Sequence, residues 1–176
     1  MTSSRPELRL VQGATEARVP WKWFCGRCAA PAAGDIPPDP TARVCTSCGL
    51  GLLLESRADA LPAPDNAFLV IDASLLIQGL SCRAEELLSL PEELAVNRPV
   101  SDLVVPADAE AASRSGFAAA IVQAIDGTSE PVTAYVRPWN TFGVRMRARV
   151  AACGPPRAAL VVLDESPAPL RSVDRG

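Results

Sequence analysis

Apolar positions are dense between residues 67 and 165 and thin out on either side, so a folded core is expected there. Within it, residues 68–72 and 75–80 read as two strands joined by a turn at Asp72 and Ser74. Residues 83–90 read as a short helix ended by Pro91, and residues 100–105 as an apolar piece stopped by Pro106. Residues 108–125 form the longest helix candidate, with Phe117, Ile121, Val122 and Ile125 at helical spacing and Asp126-Gly127 closing it. Three strands follow, at 132–137, 144–150 and 160–163. In the second, Val144, Met146, Ala148 and Val150 alternate with Arg145, Arg147 and Arg149, whereas the third is continuously apolar. Strands that are not interleaved one for one with helices predict an α+β fold with a mainly antiparallel sheet.

The flanks differ. Residues 1–20 are polar without a period and predict a flexible arm, and residues 166–176 a disordered, proline-containing tail. Residues 58–66 carry two prolines and read as a linker. Between arm and linker, residues 21–57 hold Cys25-Gly-Arg-Cys28, sixteen intervening residues, and Cys45-Thr-Ser-Cys48-Gly49. Each C-x-x-C lets two thiolates reach one ion from a tight turn, with Gly26 and Gly49 where a permissive backbone is needed. The spacing falls in the range of about 15–20 residues seen between the knuckles of four-cysteine zinc sites. Cys25, Cys28, Cys45 and Cys48 are therefore the predicted metal ligands. So short a segment, poor in large apolar groups, also needs the ion to fold.

Composition narrows the classes. Residues 1–57 carry 7 Lys and Arg against 5 Asp and Glu, and the rest of the chain 10 against 15. Neither half has the basic excess of a dedicated nucleic-acid binder. No apolar run approaches the length of about 20 residues that spans a membrane, and the first residues lack the apolar stretch of a signal peptide. A cytoplasmic location follows by default, where thiols stay reduced and paired cysteines point to metal or redox chemistry. With no histidine in the chain, no P-loop and no G-x-G-x-x-G, no catalytic constellation is readable. Four thiolates would also close a zinc shell and leave no place for a reactive water.

Two resemblances add to this reading. On WKWFCGRC and CTSCGLGLLLE, residues 21–54 resemble a zinc ribbon and the rubredoxin-like knuckle of rubrerythrins. Rubredoxin-like sites hold iron with the same four sulfurs. Zinc is the expected ion because no Glu-x-x-His motif accompanies the knuckles. On NAFLVIDASLLIQGLSCRAEELL, VSDLVVPAD and RAALVVLDE, residues 67–165 resemble a PAS domain, with Ala84, Leu87, Leu88 and then Val105, Pro106 and Asp108 at its recurring positions. The resemblance implies a five-stranded antiparallel sheet with helices on one face, and a role in sensing, docking or dimerisation. It also implies what to exclude. Asn97-Arg98-Pro99-Val100 lacks the cysteine of flavin photoreceptors, Cys82 lies too early, and a His-ligated haem has no ligand. Met146 and Cys153 fit better as a core residue and a strand-end thiol than as iron ligands.

A pocket between the long helix and the sheet would have Phe68, Val70, Phe117, Ile121, Val144 and Met146 as walls; the alternative is a filled core without ligand. Trp21, Trp23 and Phe24 either pack under the knuckle or offer an aromatic surface, with Lys22, Arg27 and Arg43 as phosphate contacts. Arg145, Arg147 and Arg149 make a stripe that is solvated or meets an acidic partner, with Glu85, Glu86, Glu92 and Glu93 as its counterpart across a homodimer. The leading expectation is a regulatory protein acting by protein contact. The alternatives are a nucleic-acid-binding regulator using the ribbon, and a rubredoxin-like electron carrier.

Overall fold

The computed structural model describes residues 19–32, 34, 37–107, 116–127, 130–141 and 144–164. The predicted arm before residue 19, the tail, and positions 108–115 of the expected long helix lie outside them. The elements in chain order are β1 (Trp21–Cys25), β2 (Leu53–Arg57), β3 (Ala67–Ile71), β4 (Ile77–Leu80), α1 (Cys82–Leu88), α2 (Glu92–Ala95), a 3-10 turn (Val100–Asp102), β5 (Val104–Pro106), α3 (Phe117–Ile125), β6 (Val132–Pro138), β7 (Met146–Gly154) and β8 (Ala158–Asp164). The class is α+β, as expected, but the sheet is a curled antiparallel half-barrel of eight strands rather than five.

The extra strands come from two places. β5 pairs with β6, with Val105 opposite Arg137. The ribbon supplies the others. β1 and β2 pair in register from Trp21 opposite Arg57 to Cys25 opposite Leu53, and β2 continues onto the end of β7 through Glu55 opposite Gly154 and Ser56 opposite Cys153. The buried Ser56 hydroxyl donates to the Ala152 carbonyl at 2.7 Å, so this junction buries no unpaired polar group. The remaining strands run β4-β3-β8-β7-β6.

Why the ribbon docks here is written in β3 and β8. Every residue of β3 is buried, and β8 is buried from Ala158 to Leu163. A continuously apolar strand needs cover on both faces. On one face Leu69, Ile71, Ile77, Leu80, Met146, Ala148, Val150 and Val161 meet Ala84 and Leu88 of α1 and Phe117, Ala120, Ile121 and Ala124 of α3. On the other, Phe68, Val70, Leu160 and Val162 meet Phe24, Ala29 and Leu54 of the ribbon. Phe24 sits edge-on to Phe68 at 6.1 Å between ring centroids.

This parity splits the predicted pocket. Phe117, Ile121 and Met146 lie on the helix side, but Phe68 and Val70 point to the ribbon, and Val144 lies before β7, exposed. The six residues do not line one cavity. Helix α3 begins after Gly116, whose backbone is extended. Its buried face is Phe117, Ala120, Ile121 and Ala124, and Val122, placed on that face from sequence, points outward. Helix α1 starts one residue early because the Ser81 hydroxyl caps it, accepting from Ala84 N at 3.1 Å. It ends at Ser89 in the left-handed region, before Pro91 is reached.

The arginine stripe lies on the solvated side of β7 at Arg145 and Arg147, as the alternation predicts, while Arg149 is half-buried. Arg147 Nε pairs with Asp164 at 2.7 Å, Arg145 lies 4.0 Å over the Tyr135 ring, and Arg149 donates to the carbonyls of Asp59 and Leu61 at 3.0 and 3.4 Å. Arg149 thereby holds residues 58–66 along the sheet, where Ala60 is fully buried.

Cys153 lies in the ribbon-side core, where burial pushes its thiol up to about 12. The folded value exceeds the ordinary 9.0, so the fold favours the neutral thiol. Below about pH 9 the thiol is neutral in the folded and unfolded chain alike; above it only the unfolded chain gains the thiolate, so stability falls as the pH rises toward about 12. Cys153→Ala empties space in this core and should be less stable than the parent at neutral pH, but it escapes the alkaline loss, so the gap should close in alkali, as urea melts at a series of pH values will show.

Candidate metal centre

The two knuckles are built alike. In each, the residue after the second cysteine takes a left-handed backbone, Ala29 at φ 59° and Gly49 at φ 71°. Its amide returns to the first cysteine's carbonyl, Ala29 N to Cys25 O at 3.1 Å and Gly49 N to Cys45 O at 2.9 Å. This curl aims successive amides at sulfur. Arg27 N and Cys28 N donate to Cys25 Sγ at 3.4 Å each, Ser47 N to Cys45 Sγ at 3.3 Å, and Gly51 N to Cys48 Sγ at 3.4 Å. Gly26, expected to serve by backbone freedom, has no positive φ; it lies close to Leu54, where a side chain would crowd Cδ1 at 3.1 Å.

The knuckles face each other across β1–β2. Cys25 N donates to Ala30 O, Gly26 N to Leu52 O, and Cys45 N to Gly51 O, each at 2.8 Å. The four sulfurs come within 4.8 Å of one another, with Cys25–Cys48 at 3.7 Å and Cys28–Cys45 at 3.9 Å. A tetrahedral ion with metal–sulfur bonds of about 2.3 Å needs sulfur–sulfur edges of about 3.8 Å. The four cysteines therefore fit one divalent ion. Cys25 and Cys45 are buried, and Cys28 and Cys48 are half-buried.

The thiols are not equivalent. Burial pushes Cys25 up to about 12 and raises Cys28. The amides of Gly51 and Leu50 bring Cys48 down to about 6. Burial raises Cys45, but the amides of Cys48 and Ser47 outweigh it and the net shift is downward. An ion takes all four as thiolates and so releases protons on binding, which makes affinity fall as pH falls. Thiol labelling should report the site directly. In the metal-loaded protein Cys82, the exposed cysteine, should react first. A chelator should release the four ligands together, and Cys153 should react only on unfolding. Fast labelling of Cys25 or Cys45 before chelation would refute the arrangement.

The structure also places residues that the sequence reading assigned elsewhere. Arg27, expected at phosphate, reaches across to the helices. Its Nη2 donates to Glu85 of α1 at 3.1 Å and its Nη1 to Glu92 of α2. Glu92 also accepts from Leu80 N at 3.0 Å, Glu85 accepts from Glu92 N at 2.7 Å, and the Arg27 carbonyl accepts from Cys82 N at 3.1 Å. Two of the four acidic residues proposed for a dimer contact are thus used inside the chain, and Glu86 pairs with Arg83 at 2.7 Å. Arg43 donates to the Pro155 carbonyl at 3.2 Å. Of the aromatic trio, Phe24 is buried, Trp23 half-buried and Trp21 exposed.

Two features went unread from sequence. Gly51 approaches Cys25 so closely that a Cβ there would overlap its sulfur. Val44, Leu50 and Leu52 stand 52%, 73% and 59% exposed around the second knuckle. The run CGLGLLL held the signal for both, with glycines at alternate positions beside leucines that have nothing local to pack on.

No helix among the described residues is long and apolar enough to cross a membrane. No protein-family model matches the chain, and no curated protein matches it. Among solved structures it is similar to a chain of the E. coli DhaR(N)–DhaL complex, at 15% identity and a TM-score of 0.36, over 56% of this chain. It spans 31% of that chain, less than a third of its length.

Proposed function

We propose that this protein is a regulatory protein that acts by protein contact, with a structural zinc ion at Cys25, Cys28, Cys45 and Cys48 and a PAS-like domain behind it. The observation that carries the reading is the cluster Val44, Leu50 and Leu52, held outward by the metal knuckle. Leaving a leucine in water forgoes about 1.5–3 kcal/mol of burial, so a contiguous apolar group on a rigid turn fits a docking surface. The strand order β4-β3-β8-β7-β6, with the helices packed on one face, supports the PAS-like part. A shell closed by four cysteines supports a structural rather than a hydrolytic ion.

The nucleic-acid reading is weakened because Arg27 and Arg43 are engaged within the chain. The rubredoxin-like reading keeps one specific support, the amides aimed at the sulfurs, which would also temper the charge of a redox-active iron. Native mass spectrometry should show one zinc per chain; iron with visible absorption would move the assignment to electron transfer. A photo-crosslinker at Leu50 should join one discrete protein in the host cell, one at exposed Thr133 should not, and Cys48→Ser should abolish the adduct. A nucleic-acid adduct at Leu50 would overturn protein contact in favour of the regulator's alternative.

A further inference from the structure

A cleft of about 810 Å³ opens on the ribbon side of the sheet, away from the helix-packed core. The second knuckle and β2 form one wall, the β3–β4 hairpin the opposite wall, and the β7–β8 turn one end. Its volume lies within the range of about 300–1,000 Å³ typical of small-molecule sites. Leu52, Leu54, Val70, Pro156 and Ala158 give it an apolar lining. Gly79 keeps it open along β4, since a Cβ there would come 3.3 Å from a Glu92 carboxylate oxygen.

Its charges decide what fits. Asp72 is used up, with Oδ1 accepting from Ser74 N at 2.8 Å and Leu76 N at 3.0 Å, and Oδ2 from Gln78 Nε2 at 2.7 Å. Glu92 is used up by Leu80 N and Arg27, and Arg27 by Glu92 and Glu85. Arg157 alone of the lining charges has no hydrogen-bond or ion-pair partner among the described residues. The cleft therefore offers an apolar surface and one unmatched guanidinium. A dicarboxylate or a polyphosphate would bring more negative charge than the cleft can match, and a cation would meet no free carboxylate.

We propose that this cleft binds a small amphipathic carboxylate, with its acyl chain against the exposed Leu52 and Pro156, over the buried floor of Leu54 and Val70, and its carboxylate on the exposed Arg157. The site lies on the opposite sheet face from the helix-packed core and takes only Val70 from the pocket walls expected from sequence, and its ligand needs no protein partner.

The test is titration calorimetry of hexanoate, octanoate and decanoate, below their micellar concentrations, into the zinc-loaded full chain, with methyl spectra recorded in parallel. One saturable site is expected, with affinity rising about fourfold per added methylene. Leu54 and Val70 methyls should shift, and those of Leu69 and Ile121 on the helix side should not. Arg157→Gln should weaken binding about tenfold, Arg157→Lys less, and Arg98→Gln not at all. No saturable binding, equal affinity in Arg157→Gln, or shifts confined to the helix side would each overturn the assignment. The purified protein is used without partners, so failure here leaves protein contact at Leu50 standing, and failure of that contact leaves this site standing.

Discussion

Gly51→Ala should lose its metal under conditions where the parent chain keeps it. A Cβ on Gly51 would overlap Cys25 Sγ and lie 2.7 Å from Arg27 Cβ and 3.2 Å from Arg27 N. None of these is the loose end of a side chain. Relief requires the first knuckle to retreat, which breaks the 3.7 Å spacing of Cys25 and Cys48, or Gly51 to retreat, which removes its amide from Cys48 Sγ. Residues supporting a metal from outside its ligand set typically cost about 10–100-fold in affinity when replaced, and the upper end is expected here because a ligand sulfur is displaced directly. The ribbon buries little beyond Phe24, Cys25, Ala29, Cys45 and Leu54, and an ion bound at the four cysteines would supply on the order of 10 kcal/mol to such a unit. Competition against a chromophoric chelator reads the affinity, and hydrogen exchange over β1 and β2 reads the melting of the ribbon. Gly49→Ala is the control. Its φ is positive but the space around it is open, so it should cost only about 1 kcal/mol and hold the ion. Equal metal affinity in Gly51→Ala and the parent would refute the close approach.

Arg27→Met should uncouple the ribbon from helices α1 and α2 while leaving the metal in place. The guanidinium joins two carboxylates whose side chains are 20% and 27% exposed, and its own is 22% exposed. Removing it leaves two partly buried carboxylates facing each other without a cation. A hydrogen bond to a charged group contributes about 1.5–3 kcal/mol, and partial exposure reduces this, so a loss of about 2 kcal/mol is expected. Adding Glu92→Gln to Arg27→Met should recover part of it, because the leftover repulsion goes with the second charge. The amides of Leu80, Cys82 and Glu92 should exchange faster, since each donates into this network. Metal affinity should stay close to the parent's, because the backbone amide of Arg27 rather than its side chain serves Cys25. A loss of metal equal to that of Gly51→Ala would show that the clamp supports the ion rather than the domain contact.

The knuckles were legible because a C-x-x-C turn is local. The short range of the backbone brings Cys25 to Cys28 and Cys45 to Cys48 whatever else the chain does. Even there, Ala29 in the left-handed position was hidden, since alanine does not announce a positive φ as Gly49 does. The alternation of Met146, Ala148 and Val150 with arginines was also legible, and those three residues are buried. The partners of the arginines were not, because Asp164, Tyr135 and the Asp59 carbonyl are brought to them by register and chain return.

What the sequence by itself determined is therefore what local geometry and period control: the four candidate ligands, the α+β class, and β3, β4, α1, β6, β7 and β8 to within a few residues, whereas β1, β2, β5 and α2 carry no such period and went unpredicted. What only the tertiary structure decided is which faces meet. A strand as apolar as β3 or β8 states that both of its faces need cover, but not what covers them. Hydrophobic burial is non-directional, so any apolar surface would satisfy it. The choice was made by β2 continuing onto β7, which swings the ribbon over Phe68 and Val70, draws Arg27 to Glu85 and Glu92, and leaves a cleft where helix-side reasoning had none.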